Sequence, residues 1–280
     1  MAERLAEVTA RRQNIEGLRQ VVDAMRSLAA VRQRQAADTL PAIRAYAGIM
    51  AAALARGVAL LDRLPAGGIR PVFGNGFHQD TTVILFSPEH GFTGAFTERL
   101  LAAVADAGTL WIVGSRGVLL AQERGRTVAW SVAMATHTDA VPTTARAVAE
   151  AIYAGVLDGT LGRVDVVYPR MEGMAERIVR DGLLPVDPAR VTGPGAAGPP
   201  PLTNLNPQRL VERLADEYLF AQLTHAAMES FAAENAARLA VMVSARRNVD
   251  ETLSSLTAAE RRLRQEDITN EVIELSAGGV

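Results

Sequence analysis

After Pro207 the chain runs to Val280 without another proline. Proline is the strongest single helix breaker, because it lacks the N–H and its ring clashes with the preceding turn. A continuous helix over this stretch would be roughly 110 Å long at 1.5 Å per residue. An ordinary globular domain of 280 residues needs no such element. Within the stretch, Leu239, Met242, Val249, Leu253, Leu256 and Leu263 keep a heptad phase, while polar Arg246 and Glu260 occupy two seam positions. The N-terminal stretch, to about residue 60, carries a matching signal. Ile15, Leu18, Val22, Met25 and Ala29 follow a 3,4 spacing, with Val8 in phase behind a polar break at Arg11. Glu16, Arg19, Asp23 and Arg26 fall on other faces, and Arg32 sits where the seam would continue. Pro41 is expected to kink or interrupt this helix, and Gly57 followed by Pro65-Ala66-Gly67-Gly68 to end it.

Composition agrees with long helices. Aromatics are only 5% and alanine is abundant, and alanine loses no side-chain entropy in a helix. A formal net charge of −2 argues against a nucleic-acid binder built on phosphate neutralisation. The chain has no cysteine, which removes disulfides, thiolate metal sites and thiol nucleophiles. It starts Met1-Ala2-Glu3-Arg4, without the apolar run of a secretory signal. The most apolar window, Ala47 to Leu61, is interrupted by Arg56 and falls short of the roughly 20 residues a spanning helix needs. The expectation is a soluble intracellular protein with no transmembrane segment, able to sit beside a membrane within an assembly.

Between residues 80 and 190 the period changes. Thr82-Val83-Ile84-Leu85-Phe86, Leu110-Trp111-Ile112-Val113 and Val164-Asp165-Val166-Val167-Tyr168 are short apolar runs typical of buried strands. Helical patterns separate them: Phe96 to Ala107, Arg116 to Glu123, and Thr143 to Leu157 after Pro142. The expected fold is a Rossmann-like α/β head with a mostly parallel sheet, plus an antiparallel two-helix coiled coil made by the N- and C-terminal helices. The expected domains are a discontinuous shaft over 1–60 and 207–280 and a head over 70–192. A Pro/Gly-rich linker over 193–206, containing Gly193 to Pro201, would join them.

Two glycine turns follow strands and precede helices, where an α/β sheet can bind phosphate: Ser87-Pro88-Glu89-His90-Gly91-Phe92-Thr93-Gly94 and Gly114-Ser115-Arg116-Gly117. Neither matches a dinucleotide or P-loop fingerprint, so tight turns that need glycine are the better reading. His78, His90, His137 and His225 are scattered, with no metal-ligand spacing. Ser87, His90 and Asp165 lack the local elbow of a hydrolase triad. No catalytic, cofactor-binding or metal-binding residue is assigned.

The run Arg264-Gln265-x-x-Ile268-Thr269-x-Glu271-x-x-Glu274-Leu275, with Gly278 close behind, resembles the carboxy-terminal signature of F-type ATP synthase γ subunits. Glu229 to Leu239, Met242 and Asn248 are similar to that family's preceding turns. So are Ala24-Met25 and Ala29-Ala30 in the first helix, the two glycine turns, and Leu183-Leu184-Pro185. The resemblance covers essentially the whole chain. It implies a non-catalytic central-stalk rotor that carries torque between an ion-driven c-ring and an alpha3-beta3 ring whose beta subunits perform the catalysis. The implied partners are the alpha, beta, epsilon and c subunits, at the cytoplasmic face of the plasma membrane, with no nucleic acid and no cofactor. It also implies that Met25, Arg264, Gln265, Thr269, Glu271 and Glu274 lie on the rotor surface facing the ring. The family's usual Thr-Lys-Ala-Met and Asp-Arg-Gly-Leu-Cys-Gly segments stand here as Val22-Asp23-Ala24-Met25 and Glu89-His90-Gly91-Phe92-Thr93-Gly94. These departures point to an alternate, N-type branch. The alternatives from other classes are a coiled-coil interaction scaffold and a nucleotide-binding α/β enzyme.

Overall fold

A computed structural model describes residues 2–61, 81–173, 175–186 and 203–277. The expected stop at Pro65 to Gly68, the residues of the linker up to 202, His78 and Gly278 lie outside them. The elements in order are α1 (Ala2–Leu61), β1 (Thr81–Phe86), α2 (Phe96–Ala102), β2 (Thr109–Val113), α3 (Ser115–Glu123) and β3 (Trp130–Val132). A 3-10 turn, α4 (Val141–Leu157), β4 (Arg163–Glu172), β5 (Ala175–Leu184) and α5 (Pro207–Ala277) complete them. The chain divides into two compact units, residues 1–30 with 238–280 and residues 31–237.

The larger unit is built on a five-stranded sheet in the order β3-β2-β1-β4-β5. β1 lies parallel to β2 and β4, β2 parallel to β3, and β5 antiparallel to β4. The apolar runs form strands because both sheet faces are covered, so alternate residues all find apolar partners. Ile84, Phe86, Trp111 and Val113 face a core shared with α4 and α5. Val83, Leu85, Leu110 and Ile112 face Phe96, Leu100 and Leu101 of α2 and Leu120 of α3 on the other side. Trp111 pairs in register with Trp130, ring centroids 5.0 Å apart, and this contact fastens the short edge strand β3. The sequence pattern had not marked β3 or β5. β3 has three residues, and β5 (AERIVRDGLL) is polar along most of its edge. The helix expected over Phe96 to Ala107 ends at Ala102.

Within this unit α1 does not stop at Pro41. A proline inside a helix costs about 3 kcal/mol or more. Here Ala36 and Leu40 are buried in the main core and Pro41 faces outward, so tertiary packing holds the helix through the defect. Gly57 is likewise not a terminator. A Cβ there would stand 3.0 Å from Leu214 Cδ1 and 3.1 Å from Val211 Cγ2, so glycine lets α1 approach α5. Leu54, Ala55, Val211 and Ala215 bury together at that contact. One 18-residue window of α1 reaches a mean hydropathy of 1.3, enough by length and composition to cross a membrane. The shorter window read from the sequence had excluded this. The same small apolar side chains are what a close helix–helix contact requires.

In the smaller unit α1 and α5 run antiparallel. Arg12 Nε pairs with Glu260 Oε2 at 2.9 Å, Arg19 Nε with Asp250 Oδ1 at 3.8 Å, and Arg246 Nε with Asp23 Oδ1 at 2.9 Å. Val22, Ala29, Met242, Val249 and Leu253 form the buried seam. Leu18, placed in the seam by its spacing, is 48% exposed. The second series of α1 is instead polar Arg12 and Arg19, which face the acids of α5. Arg246 and Glu260 do occupy seam positions, and each is neutralised by a partner on the other helix.

Candidate functional site

The turn after β1 is closed by its own side chains. Gly114 adopts φ +111°, and a Cβ there would fall 2.2 Å from the Ser87 carbonyl oxygen, so only glycine fits. At the start of α3, where an α/β protein would hold a phosphate, the Glu89 carboxylate is already seated. It accepts hydrogen bonds from the Ser115 N–H at 3.1 Å, the Ser115 hydroxyl at 2.6 Å and the Met134 N–H at 2.7 Å. Partial burial would raise the Glu89 pKa, but these three donors outweigh it and hold the carboxyl below its usual range. An internal carboxylate thus fills the anion position at this turn.

The Ser87, His90 and Asp165 arrangement is not a triad either. Ser87 is fully buried and gives its hydroxyl proton to the carbonyls of Val113 and Gly114, at 3.0 and 3.2 Å. Asp165 pairs with Arg180 at 3.0 Å and with Arg163 at 3.6 Å. Among the described residues no group of histidines and acids is placed to hold a metal ion.

The carboxy-terminal run presents a surface rather than a pocket. Arg264 is exposed and held to Glu260 at 3.1 Å by an i,i+4 pair. The Thr269 hydroxyl donates to the Gln265 carbonyl at 2.8 Å. Gln265, Thr269 and Glu271 are exposed, as are the apolar side chains of Ile268 and Val272. The Glu274 side chain lies outside the described residues. Met25, on α1, is half-buried, and the neighbouring Asp23–Arg246 pair sets its level against α5. That level is about 20 residues, or roughly 30 Å, from Arg264. The structure therefore brings Arg264, Gln265, Thr269 and Glu271 together at one end of the helix and leaves Met25 well apart.

A second cluster, absent from the sequence reading, lies in the larger unit. Glu229 is 1% exposed, and its Oε1 accepts two N–H groups of Arg44, Nε at 3.0 Å and Nη2 at 2.6 Å. His225 Nε2 stands 3.1 Å and Arg170 Nε 3.4 Å from the same oxygen. Arg170 Nη2 also donates to the Tyr168 hydroxyl at 2.8 Å, and Tyr168 in turn donates to Asp181 at 3.1 Å. Burial alone would push the Glu229 pKa up. The hydrogen bonds from His225 and Arg44 and the Arg44 charge outweigh it and hold the carboxyl below its ordinary range. Tyr168 and Asp181 also line a cavity of about 190 Å³ with Val166, Gly182, Tyr218 and Gln222. The available signal was a charged residue inside an otherwise apolar helical run, Ala226-Ala227-Met228-Glu229-Ser230-Phe231, with His225 one turn earlier.

Comparison with known proteins bears on the chain as a whole. A family model described as ATP synthase matches residues 4–279. The chain is 28% identical to the ATP synthase gamma chain of Chlorobium chlorochromatii, with 98% of this chain and 97% of the relative aligned. It is 26% identical to the ATP synthase gamma chain of a Synechococcus species over 94% and 95% of the two chains. A chain in the mitochondrial ATP synthase structure of Euglena gracilis, in rotational state 3, superposes with a TM-score of 0.63 at 14% identity. That match covers 99% of this chain and 94% of the other.

Proposed function

Since the chain belongs to the ATP synthase family, among its gamma subunits, we propose a rotor mechanism for it from the surfaces just described. It is the central-stalk subunit of an F-type ATP synthase and is not itself catalytic; ATP chemistry resides in the beta subunits. The single observation that carries this is the family match over residues 4–279, which takes in both long helices and the sheet.

The shaft is formed by 1–60 with 207–280, the head by 70–192, and 193–206 is the linker between them. The end of α5 is the working surface toward the catalytic ring. Arg264, Gln265, Thr269 and Glu271 offer polar groups on an exposed helix, and Glu274 continues the same run. Such groups suit a rotor because each contact is weak and quickly exchanged, so no single angle becomes a trap. Met25 serves a separate level of the shaft. As the shaft turns, its asymmetric surface makes different contacts with each beta subunit, and differential contact shifts a conformational equilibrium. The head meets the epsilon subunit and the c-ring, peripheral to the membrane on its cytoplasmic face. The altered turns around Asp23 and Glu89 favour the alternate, N-type branch.

Co-expression with the alpha and beta subunits tests the assignment. The expected result is a complex containing this chain, with ATPase activity dependent on it. Equal assembly and turnover of alpha and beta without this chain would overturn the reading. Arg264→Ala with Gln265→Ala is expected to leave assembly intact and lower coupled synthesis several-fold. Unchanged coupling would remove those two residues from the working surface.

A further inference from the structure

Resting on the rotor reading, we propose that Glu229 is the positioning residue that locks the two shaft helices to the head sheet, so that torque passes between them without slip. Its carboxylate is met by Arg44 from α1 and by Arg170 from β4, while Glu229 itself belongs to α5. At this oxygen two hydrogen bonds from Arg44 join α1 to α5, and Arg170 of β4 adds a charge contact at 3.4 Å that is not itself a hydrogen bond. Through Arg170, Tyr168 and Asp181 the connection extends to β5, the outer strand of the sheet.

The rest of the contact explains why a charged tie is needed. In this unit α1 buries Ala36, Leu40 and Ala47, and α5 buries Ala226, Ala227 and Ala232 between the larger Leu219, Leu223, Met228 and Phe231. The larger side chains oppose gross sliding, whereas the alanine surfaces between them leave small displacements along or about the helix axis less opposed. Apolar attraction is also non-directional, so a small slip costs little. Charge-assisted hydrogen bonds have a preferred length and direction, and in a buried setting they weaken steeply when displaced. A buried carboxylate is a poor device for stability, since its desolvation offsets much of the gain. Its placement at the crossing of three elements fits a role in fixing geometry under load. The two arginine side chains are only part-buried, at 49% and 31% exposure, so water can receive them when the tie is cut.

The experiment uses the full ion-translocating complex carrying Arg44→Ala, Arg44→Lys or Glu229→Gln, with ATP hydrolysis and ion pumping measured on the same vesicles. Arg44→Ala and Glu229→Gln are expected to assemble and hydrolyse ATP within about twofold of the parent while pumping per ATP falls threefold or more. Arg44→Lys, which keeps the charge, is expected to recover part of that ratio. A role confined to folding would lower hydrolysis and pumping together, in proportion to assembled complex. The proposal is overturned if the ratio is unchanged in both variants, or if both lose assembly and Arg44→Lys loses it too. A complex that pumps fully without this chain would overturn the rotor reading instead, so the two failures are distinct.

Discussion

The helix α5 lives in two environments, and they handle polar residues in opposite ways. In the larger unit residues 226–235 are buried without a break, and Glu229, Glu234 and Asn235 are among them. Among the described side chains of α5 in the smaller unit, Arg238, Met242, Val249 and Leu253 are buried, and Arg246 sits with Asp23 and Asp250 at a half-open seam. Where sheet and helices enclose α5, the Glu229 carboxylate is met by Arg44 and His225 together. Where one helix faces α5, water shares the work, and each pair adds little. One stretch of helix fixes geometry, and the other keeps an accessible surface.

That contrast can be broken at its apolar base. Phe231→Ala in the larger unit, where the side chain is 1% exposed, is expected to cost about 3–5 kcal/mol. Leu253→Ala, at the seam, should cost only about 2 kcal/mol because the vacated space opens toward solvent. Urea denaturation followed by far-UV circular dichroism, which reads the helices of both units, beside tryptophan fluorescence, which reads the larger unit through Trp111 and Trp130, checks this. Equal losses would mean that the two environments do not differ as described.

Acid sharpens the comparison next. The folded-state pKa values of Glu229 and Glu89 are depressed, so their stabilising contribution is present above the unfolded carboxyl value of about 4.3. It is lost as pH falls through the lower folded values, because the unfolded chain binds those protons first. Glu229→Gln is expected to cost about 1–3 kcal/mol at neutral pH and to flatten the acid limb of a stability profile. A variant with an unaltered acid limb would contradict the assignment of that limb to Glu229. The smallest effect belongs to the seam. Arg246→Ala removes the 2.9 Å pair with Asp23 and should cost about 1 kcal/mol or less, shrinking further at high salt. A cost that is large and insensitive to salt would show that this pair behaves like the enclosed one.

Much of this was readable beforehand. The three central strands, the helices between them and the two long terminal helices follow from hydrophobic period alone, which reflects the faces those elements must bury. Pro41 and Gly57 misled, because local propensity marks breaks that tertiary contacts with Ala36, Leu40, Val211 and Leu214 override. Leu18 misled for a related reason. Two heptad phases fit the first helix, and only the partner's acids select the one that turns Arg12 and Arg19 inward.

By itself the sequence determined the element types and, through the run Arg264-Gln265-Ile268-Thr269-Glu271-Glu274, the family, because periodicity and residue order are local properties of the chain. Tertiary structure alone decided which polar residues meet. Arg44 and Glu229 are 185 positions apart, and Arg12 and Glu260 more distant still. No local rule predicts such a meeting, since it is fixed by the register in which two long helices pack and by the sheet that covers one of them.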